Sequence, residues 1–417
     1  MAATRPVRVL LLTQWFDPEP TFKGLVFARE LVRQGFEVEV LTGFPNYPGG
    51  RVYPGYCIKW LQREVLEGVQ ITRVPLYPNH DQSAIKRVLN YASFAASSLF
   101  YGLFMAKRAD VIYAYHPPLT VGITASLLKL LRRIPVVYDI QDMWPDTLRA
   151  TGMLNSAKAL GVVDSVCRWV YRRVDHIAVL SPGFERLLVQ RGVPATKVEV
   201  IYNWADEAAL NIPSGQLPAA FPGSDRFRIL FAGNMGKAQA LGIVLDAAEL
   251  LQARAQHVCF VLLGGGVEVE RLKAQAALRR LHNVVFLPAV PMAEVGTYLQ
   301  AADALLVHLR QDPLFKITIP SKTQAYMAVG KPLLMAVDGD AADLVRRSGG
   351  GVVAESEDAE AMAVAAQGLA SRSPEALAAM GQQAQLYYRE HLALAVGVGR
   401  FGAVFRRLAG ARRFSKS

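Results

Sequence analysis

The stretch that decides the fold reads RFRILFAGN at residues 226–234 and HVCFVLLGGG at residues 257–266. Each part is a short run of mostly apolar residues that ends at or near glycine, and a segment with helical spacing separates the two. Strands buried in a parallel sheet have this composition because helices cover both faces of the sheet. The stretch therefore predicts a strand–helix–strand unit with flexible turns at the strand ends.

The same alternation extends over most of the chain. Apolar runs recur at 7–14, 37–43, 69–77, 110–116, 136–140 and 176–180, and again at 283–290, 303–309 and 332–337. This pattern predicts an α/β protein with two Rossmann-like, doubly wound domains that face each other across a cleft. We expect the first domain at 1–208, a proline- and glycine-containing linker at 209–225 and the second domain at 226–390. A long helical stretch, roughly 374–411, begins within the end of the second domain and extends beyond it.

Composition narrows the class of protein. The chain has 417 residues and a formal net charge of +11, which suits anionic partners such as phosphorylated small molecules or an acidic membrane surface. The basic residues are dispersed and lack an aromatic platform, so nucleic-acid binding is not expected. Three cysteines without paired spacing argue against a disulfide framework or a zinc site and fit a reducing compartment. The amino terminus is interpreted as a first strand and not as a signal peptide.

Polar residues and glycine follow the strands of the first domain, where open α/β sheets bind ligands. Gly24 lies at the start of a helix that follows the first strand, and we predict that its backbone approaches an anion. A glycine that only permits a tight turn is an equally good interpretation. His116 follows a strand and is predicted to point into the cleft, unless it bonds to backbone. Asp146 is the expected helix cap, which leaves Asp142 for a substrate hydroxyl.

The second domain contains the sequence features that indicate anion binding more strongly. Gly233, Asn234, Gly236 and Lys237 make a compact turn suited to a phosphate, although a solvated lysine is the simpler interpretation. Gly265 lies in the next glycine turn. In IPSKTQAYMAVGKP, residues 319–332, Ser321 occupies the expected cap position and Lys322 follows it. Together these groups predict a diphosphate site at one edge of the sheet.

At these residues the chain resembles the retaining GT-B glycosyltransferases of family 4. The segments GNMGKAQAL, LLGGG, NVVFLPAV, ADALLV and PSKTQAYMAVGKP occur in the family's order, and DIQDMWPDTL and VIYNWADE are similar to the bacterial branch of the fucosamine-transferase type that acts in O-antigen and exopolysaccharide assembly. The resemblance implies that Lys237 and Gly24 hold the donor diphosphate and that His116 lies beside the donor sugar. It also implies that the backbone of Pro288 and Ala289 contacts the base, and that a helix at 391–417 crosses back to the first domain.

The chain departs from the family at three positions. Asn234 replaces the usual arginine, and the family's paired glutamates fall near Ile317 and at Ala325, neither of which is acidic. Those glutamates bind ribose and sugar hydroxyls in most relatives. We expect Ser321, Lys322 or Gln324 to take over these contacts.

An uncharged segment, residues 88–106, lies between two basic pairs. Its length permits a membrane span, but a span would interrupt an α/β domain. Basic flanks and aromatic residues favour a helix at 85–108 that lies at an anionic interface, with plain burial as the alternative. Tyr91, Phe94, Tyr101 and Met105 are the predicted membrane-facing side chains.

These observations predict a glycosyltransferase that moves a hexosyl or N-acetylhexosaminyl group from a UDP-linked donor to a lipid-linked or polysaccharide-precursor acceptor. His116, Lys237 and Asp142 are the predicted catalytic residues. No Asp-x-Asp pair stands at a strand end, so no metal or other cofactor is expected. The expected location is the cytoplasm, at the inner face of the membrane. A nucleotide-sugar epimerase and a non-catalytic scaffold that binds nucleotide-sugars or membranes are the alternatives.

Overall fold

The structure is a computed structural model and describes residues 5–79, 84–210 and 217–414. It divides into two compact units, of which the first comprises residues 1–201 and 397–417 and the second residues 202–396. Both units are parallel-sheet α/β domains, so the predicted fold class is confirmed.

The sheet of the first unit is formed, within the described residues, by eight strands in the order β3-β4-β2-β1-β5-β6-β7-β8. They are β1 (Arg8–Leu12), β2 (Glu37–Gly43), β3 (Gln62–Leu66), β4 (Val69–Val74), β5 (Val111–Tyr115), β6 (Val136–Ile140), β7 (His176–Val179) and β8 (Val198–Val200). All neighbours pair in parallel except β3, which is antiparallel to β4. β1, β5, β6 and β7 are almost fully buried, as expected for strands covered on both faces.

Six helices and a short turn connect these strands. The helices are α1 (Leu25–Arg33), α2 (Ala84–Phe104), α3 (Leu119–Arg132), α4 (Asp146–Ala150), α5 (Ala157–Arg173) and α6 (Pro182–Gln190), and a 3₁₀ turn spans Ala195–Lys197. Helix α4 begins at Asp146 without a side-chain cap, so the predicted capping role of Asp146 is wrong. The Asp146 carboxylate instead accepts a hydrogen bond from Arg191, 2.5 Å away.

The second unit has the strand order β11-β10-β9-β12-β13-β14 among the residues that the structure describes. Its strands are β9 (Phe227–Ala232), β10 (Val258–Leu263), β11 (Val284–Leu287), β12 (Ala304–His308), β13 (Leu333–Ala336) and β14 (Gly351–Ala354). Alternate residues of β9 enter different cores: Leu230 joins the core on one face, and Ile229 and Phe231 join the core on the other. The strand order reverses between β9 and β12, which is where ligands of doubly wound sheets bind.

Nine further helices lie in the second unit within the described ranges. They are α7 (Glu207–Leu210), α8 (Gly242–Arg254), α9 (Val269–Leu278), α10 (Met292–Ala301), α11 (Pro313–Lys316), α12 (Ser321–Val329), α13 (Asp340–Ser348), α14 (Ala359–Ala370) and α15 (Pro374–His391), with a 3₁₀ turn at Lys237–Gln239. Part of the expected linker, residues 211–216, lies outside the described residues. Leu210 and Phe221, on either side of it, are buried in the core of the second unit.

The long terminal stretch consists of two helices, because α15 ends at His391 and α16 (Leu394–Phe414) follows. From residue 397 onward the chain belongs to the first unit. Phe401 packs edge-on against Phe27 and Tyr113, and Phe405 packs edge-on against Phe36. Aromatic burial therefore fixes α16 on the first unit.

Helix α2 is oriented differently from the sequence prediction. Phe94 and Tyr101 are 0% and 3% exposed, and the Tyr101 hydroxyl donates to Glu39, 2.7 Å away. Their assignment as membrane-facing is wrong because this side of the helix packs on the sheet. Tyr91 is partly buried, whereas Met105 is 38% exposed. Among the described residues, no helix has the length and apolar character needed to cross a membrane.

Candidate active site

The glycine turns after β9 and β10 pack backbone against backbone at the edge of the second unit. Gly233 and Gly264 have φ angles of 131° and 141°, which side chains rarely allow. A Cβ at Gly264 would lie 2.0 Å from the Gly233 carbonyl oxygen. Glycine is therefore required here, and it brings the two strand-end loops together.

Lys322 lies over the end of β9. Its Nζ is 3.5 Å from the centroid of the Phe231 ring, and a Cβ at Gly233 would lie 2.8 Å from its Cε. The side chain is partly buried, and no carboxylate or hydrogen-bond acceptor pairs with it in the described part of the chain. Burial lowers the pKa of Lys322 from 10.5 to about 7. An ammonium group without a counter-charge at a strand end can bind an anion.

Helix α12 holds Lys322 in this position. The Tyr326 hydroxyl, one turn further along, accepts a hydrogen bond from the Ala232 N–H at 2.9 Å and so fixes the helix against the end of β9. Pro320 is the N-cap residue and Ser321 is the first helical residue, which corrects the predicted capping role of Ser321. Ser321 is exposed at the mouth of the helix, where a ligand can reach its hydroxyl.

Gln324 does not face this edge. It is 2% exposed, and its amide nitrogen, in the orientation that satisfies both groups of the amide, donates to the Pro320 carbonyl at 2.8 Å. The predicted donor contact of Gln324 is therefore wrong, because the side chain is folded back onto the start of its own helix.

Lys237 is exposed on a turn that the neighbouring strand holds in place. Within the turn, the Gly236 N–H donates to the Gln239 side chain at 3.0 Å. The Gln239 carbonyl is 2.6 Å from Nδ1 of His308, and Glu357 N–H donates to Nε2 of the same ring at 3.3 Å. His308 therefore carries its proton on Nδ1 and is neutral, and burial lowers its pKa further. The turn is anchored while the Lys237 ammonium remains open to solvent.

His308 is not among the site residues predicted from the sequence, although it ends β12 directly at the strand reversal. Its position after an apolar run was the available signal. The remaining predicted donor-site residues lie along the same edge: Asn234, Pro288 and Ala289 are exposed, and Gly265 is partly buried beside Ala289. The second unit thus brings together Gly233, Asn234, Gly236, Lys237, Gly265, Ser321 and Lys322 on adjoining strand ends.

In the first unit, His116 follows β5 and is 2% exposed. Its ring lies edge-on to Trp144 at 5.2 Å and to Tyr138 at 5.9 Å, and its Nδ1 atom has no hydrogen-bond partner within the described residues. Burial lowers the pKa of His116 from 6.5 to about 3, so the ring is neutral near pH 7. A neutral imidazole can exchange hydrogen bonds with a sugar hydroxyl, but it cannot supply a fixed positive charge.

Asp142 follows the adjacent strand, β6. Burial raises the pKa of its carboxyl group, and no side-chain partner for it occurs in the described ranges. His116 and Asp142 therefore offer two unpaired polar groups at neighbouring strand ends of the first unit.

The start of α1 differs from the prediction. The Leu25 N–H donates to the Asp17 carboxylate at 2.6 Å, and a Cβ at Gly24 would lie 2.0 Å from the same Oδ2 atom. Glycine is needed here because a carboxylate covers the start of the helix. The predicted contact of Gly24 with a diphosphate is therefore wrong for this loop, since an anion would meet Asp17 first.

Glu19 in the same loop is a structural residue that the sequence analysis did not identify. It is 2% exposed and accepts hydrogen bonds from the N–H groups of Asn46 and Tyr47, both at 2.7 Å, and of Phe16 at 3.1 Å. It therefore ties the loop after β1 to the loop after β2. Burial raises the pKa of its carboxyl group.

The positions of the missing glutamates hold apolar side chains. Ile317 is the C-cap residue that follows α11, and Ala325 packs against the core of the second unit. Among the described residues, no cluster of three or more His, Cys, Asp and Glu side chains has the geometry to hold a metal ion.

Sequence models of two known domain families match the chain. Residues 25–204 match the Glycosyl transferase 4-like domain, and residues 226–372 match Glycosyl transferases group 1. The chain belongs to the GT-B glycosyltransferases.

This glycosyltransferase is 28% identical over 340 residues to WcaI of Escherichia coli K12, whose name assigns it to colanic acid biosynthesis. The match covers 78% of this chain and 82% of WcaI. It is 25% identical over 239 residues to the glycosyltransferase WbjE of Pseudomonas aeruginosa, covering 56% and 58%.

Solved structures give the same fold. HepE of Anabaena, in complex with UDP and glucose, superimposes with a TM-score of 0.67 at 15% identity and covers 96% of this chain and 99% of its own. The sucrose-phosphate synthase of Thermosynechococcus elongatus has a TM-score of 0.69 at 15% identity, with coverage of 97% and 100%. At these identities the likeness establishes the fold.

Proposed function

We propose that this glycosyltransferase moves a hexosyl or N-acetylhexosaminyl group from a UDP-linked donor to a lipid-linked saccharide or polysaccharide precursor. The observation that carries the proposal is Lys322, a partly buried ammonium group without a counter-charge beside Gly233 and Phe231. A diphosphate supplies the missing negative charge, and the exposed Lys237 at the adjoining loop supplies a second cation.

The proposed chemistry is stabilisation of the leaving group. As the bond between sugar and diphosphate breaks, negative charge develops on the diphosphate, and Lys322, Lys237 and nearby backbone N–H groups neutralise it. In the first unit, the unpaired Nδ1 of His116 is proposed to bond a sugar hydroxyl, and Asp142 an acceptor or sugar hydroxyl. Catalysis then consists mainly of positioning and charge stabilisation, and no metal is assigned a role.

The proposal of a UDP-linked donor is based on the ligands described for proteins of the same fold. HepE is described in complex with UDP and glucose, and a trehalose-6-phosphate protein of Escherichia coli with the same fold is described bound to UDP-2-fluoro glucose. The name of WcaI, with its reference to colanic acid biosynthesis, supports a polysaccharide precursor as acceptor. Retention of anomeric configuration and the fucosamine-transferase-like branch remain proposals from sequence resemblance, as does a location at the cytoplasmic face of the membrane.

The test is an incubation of the full chain with radiolabelled UDP-sugars and lipid extract from bacterial membranes, followed by separation of lipid from water-soluble products. Label in the lipid fraction supports the transferase. Label that stays in an altered nucleotide-sugar would instead identify an epimerase, and binding without turnover would identify a scaffold. The Lys322→Met variant is expected to lose transfer. Lys331→Met is the matched control, because Lys331 lies before β13, at the opposite end of the strands.

A further inference from the structure

The outer side of α2 carries an exposed aromatic row. Phe100 and Phe104 are 44% and 73% exposed, one helical turn apart, and their ring centroids are 5.1 Å from each other. Trp60, in the segment before β3, is 65% exposed and packs edge-on against Phe100 at 5.6 Å. These three side chains form one contiguous apolar surface, which we name the aromatic row.

Apolar exposure continues along the same helix. Val88 and Leu89 near its start are 63% and 51% exposed, and Met105 just after its end is 38% exposed. The opposite side of α2, with Phe94 and Tyr101, packs on the sheet. Large exposed apolar surface of this kind on one element usually marks a binding surface.

Basic residues border the aromatic row. Lys59 and Arg63 are exposed and lie on either side of Trp60 in the chain, and the Arg63 guanidinium is 6.0 Å from the centroid of the Tyr101 ring in α2. Lys107 and Arg108 are exposed just beyond the end of the helix, and neither pairs with a carboxylate in the described residues. The aromatic row therefore has a cationic border on at least two sides.

The carboxyl end of α2 is the most basic part of this border. Arg132 donates to the carbonyls of Gly102 at 2.5 Å and Ala106 at 3.2 Å, which places a third cation at the helix end. Arg412 donates to the Ala109 carbonyl at 2.7 Å, and burial together with Arg108 and Arg132 lowers its pKa, while Asp110 opposes the shift. Arg108 and Arg132 repel Arg412, and Asp110 offsets part of this repulsion. The remaining positive charge, with Lys107 beside it, would be stabilised by an anionic partner.

We propose that the aromatic row and its basic border dock the protein on the surface of an anionic lipid bilayer. Trp and Phe side chains enter the interfacial region, while Lys and Arg side chains extend to lipid phosphates. A second copy of the chain fits this surface poorly, because association would bring two basic borders together. Docking on the bilayer would bring the enzyme to a membrane-borne acceptor. The proposal rests on the proposed function only for the identity of that acceptor.

Co-sedimentation with vesicles tests the proposal without any donor or turnover. We expect the full chain to bind vesicles of phosphatidylcholine mixed with phosphatidylglycerol and to bind vesicles of phosphatidylcholine alone much more weakly. Trp60→Ser with Phe104→Ser should weaken binding about tenfold or more, since two large apolar side chains leave the interface. Leu278→Ser is the matched control, because Leu278 is an apolar side chain that is 85% exposed in the second unit.

A second pair of double variants tests whether vesicle binding requires the basic residues. Lys107→Glu with Arg108→Glu should reduce binding to anionic vesicles about tenfold or more, since about 1 kcal/mol is gained per basic residue near such a surface. Arg372→Glu with Arg389→Glu reverses two exposed charges elsewhere and should leave binding nearly unchanged. UDP-sugar binding, measured on the same samples, should be the same in all variants, so a failure of the membrane proposal is distinguishable from a failure of the proposed transferase.

Three results would overturn the proposal. The first is equal binding to neutral and anionic vesicles, and the second is full vesicle binding by the Trp60→Ser and Phe104→Ser double variant. The third is a wild-type dimer in sedimentation velocity that becomes monomeric in that double variant, because the aromatic row would then be an interface between two copies.

Discussion

Replacing Lys322 by methionine removes a positive charge and keeps a side chain of similar length. Burial lowers the pKa of Lys322 from 10.5 to about 7, and each unit of such a shift corresponds to about 1.4 kcal/mol. Because the side chain is only partly buried and solvent screens part of the effect, we expect a net cost of roughly 2–3 kcal/mol to the free protein. Lys322→Met should therefore raise the free energy of unfolding at pH 7 while weakening donor binding.

The sign of the pH dependence follows from the lowered pKa. Between pH about 7 and 10.5 the folded protein releases the Lys322 proton while the unfolded chain keeps it, so this group makes stability rise with pH across that range. Urea unfolding at several pH values should show the rise in the wild type and a smaller one in Lys322→Met.

Donor binding should depend on pH in the opposite direction. A bound diphosphate favours the charged ammonium, so above pH about 7 the wild type must take up a proton on binding and its affinity should fall by up to about tenfold per pH unit. In Lys322→Met the affinity should be about 10- to 100-fold lower near neutral pH, the loss expected for one charge-assisted contact, and nearly independent of pH.

Isothermal titration calorimetry with UDP-glucose is the assay, run in two buffers with different ionisation enthalpies so that proton uptake is measured directly. A nucleotide-sugar is preferable to UDP because a terminal phosphate group titrates at about pH 6. Lys331→Met is the control: burial also lowers the pKa of Lys331, but Asp303 opposes that shift. An unchanged affinity in Lys322→Met, or a pH slope that persists in it, would refute the assignment of Lys322 to the diphosphate.

Three further predictions concern other parts of the molecule. Lys237→Ala should lower UDP-glucose affinity about tenfold or more without changing the melting temperature, because the side chain is exposed; a lower melting temperature would point to a structural role. Glu19→Ala leaves three backbone N–H groups without their acceptor and should cost on the order of 3 kcal/mol in urea unfolding, with Glu19→Gln less affected. His116→Phe should flatten the loss of stability below pH 6.5, because in the wild type the unfolded chain binds a proton that the buried imidazole excludes; equal slopes in both proteins would contradict the assigned burial.

The sequence pattern predicted helix α2 but not the side of the helix that faces outward. The uncharged run with basic ends correctly indicated a helix between two strands. It could not decide which aromatic side chains face outward, since both sides of the helix are apolar. In the structure the Tyr101 hydroxyl donates to Glu39 on β2 and Phe94 is buried, so this side of the helix faces inward. Phe100 and Phe104 then remain exposed beside Trp60, a residue forty positions away from Phe100.

At the start of α1 the sequence likewise predicted a close approach to glycine but not the group that makes it. A glycine at the start of a helix indicates a close approach by some group, and the sequence suggested a diphosphate. In the structure that group is the carboxylate of Asp17, seven residues earlier in the chain than Gly24. The pattern identified the need for glycine correctly, but the partner depends on how the intervening loop folds.

The sequence by itself determined the alternation of strands and helices, the two α/β domains and the glycine- and lysine-bearing turns at the strand ends. These features depend on periodicity and on turn residues, which act over a few neighbours in the chain. The tertiary structure decided the charge state of Lys322 and His116, the inward turn of Gln324 and the outward face of α2. Burial and pairing set those properties, and the groups that bury or pair a side chain come from segments far away in the sequence.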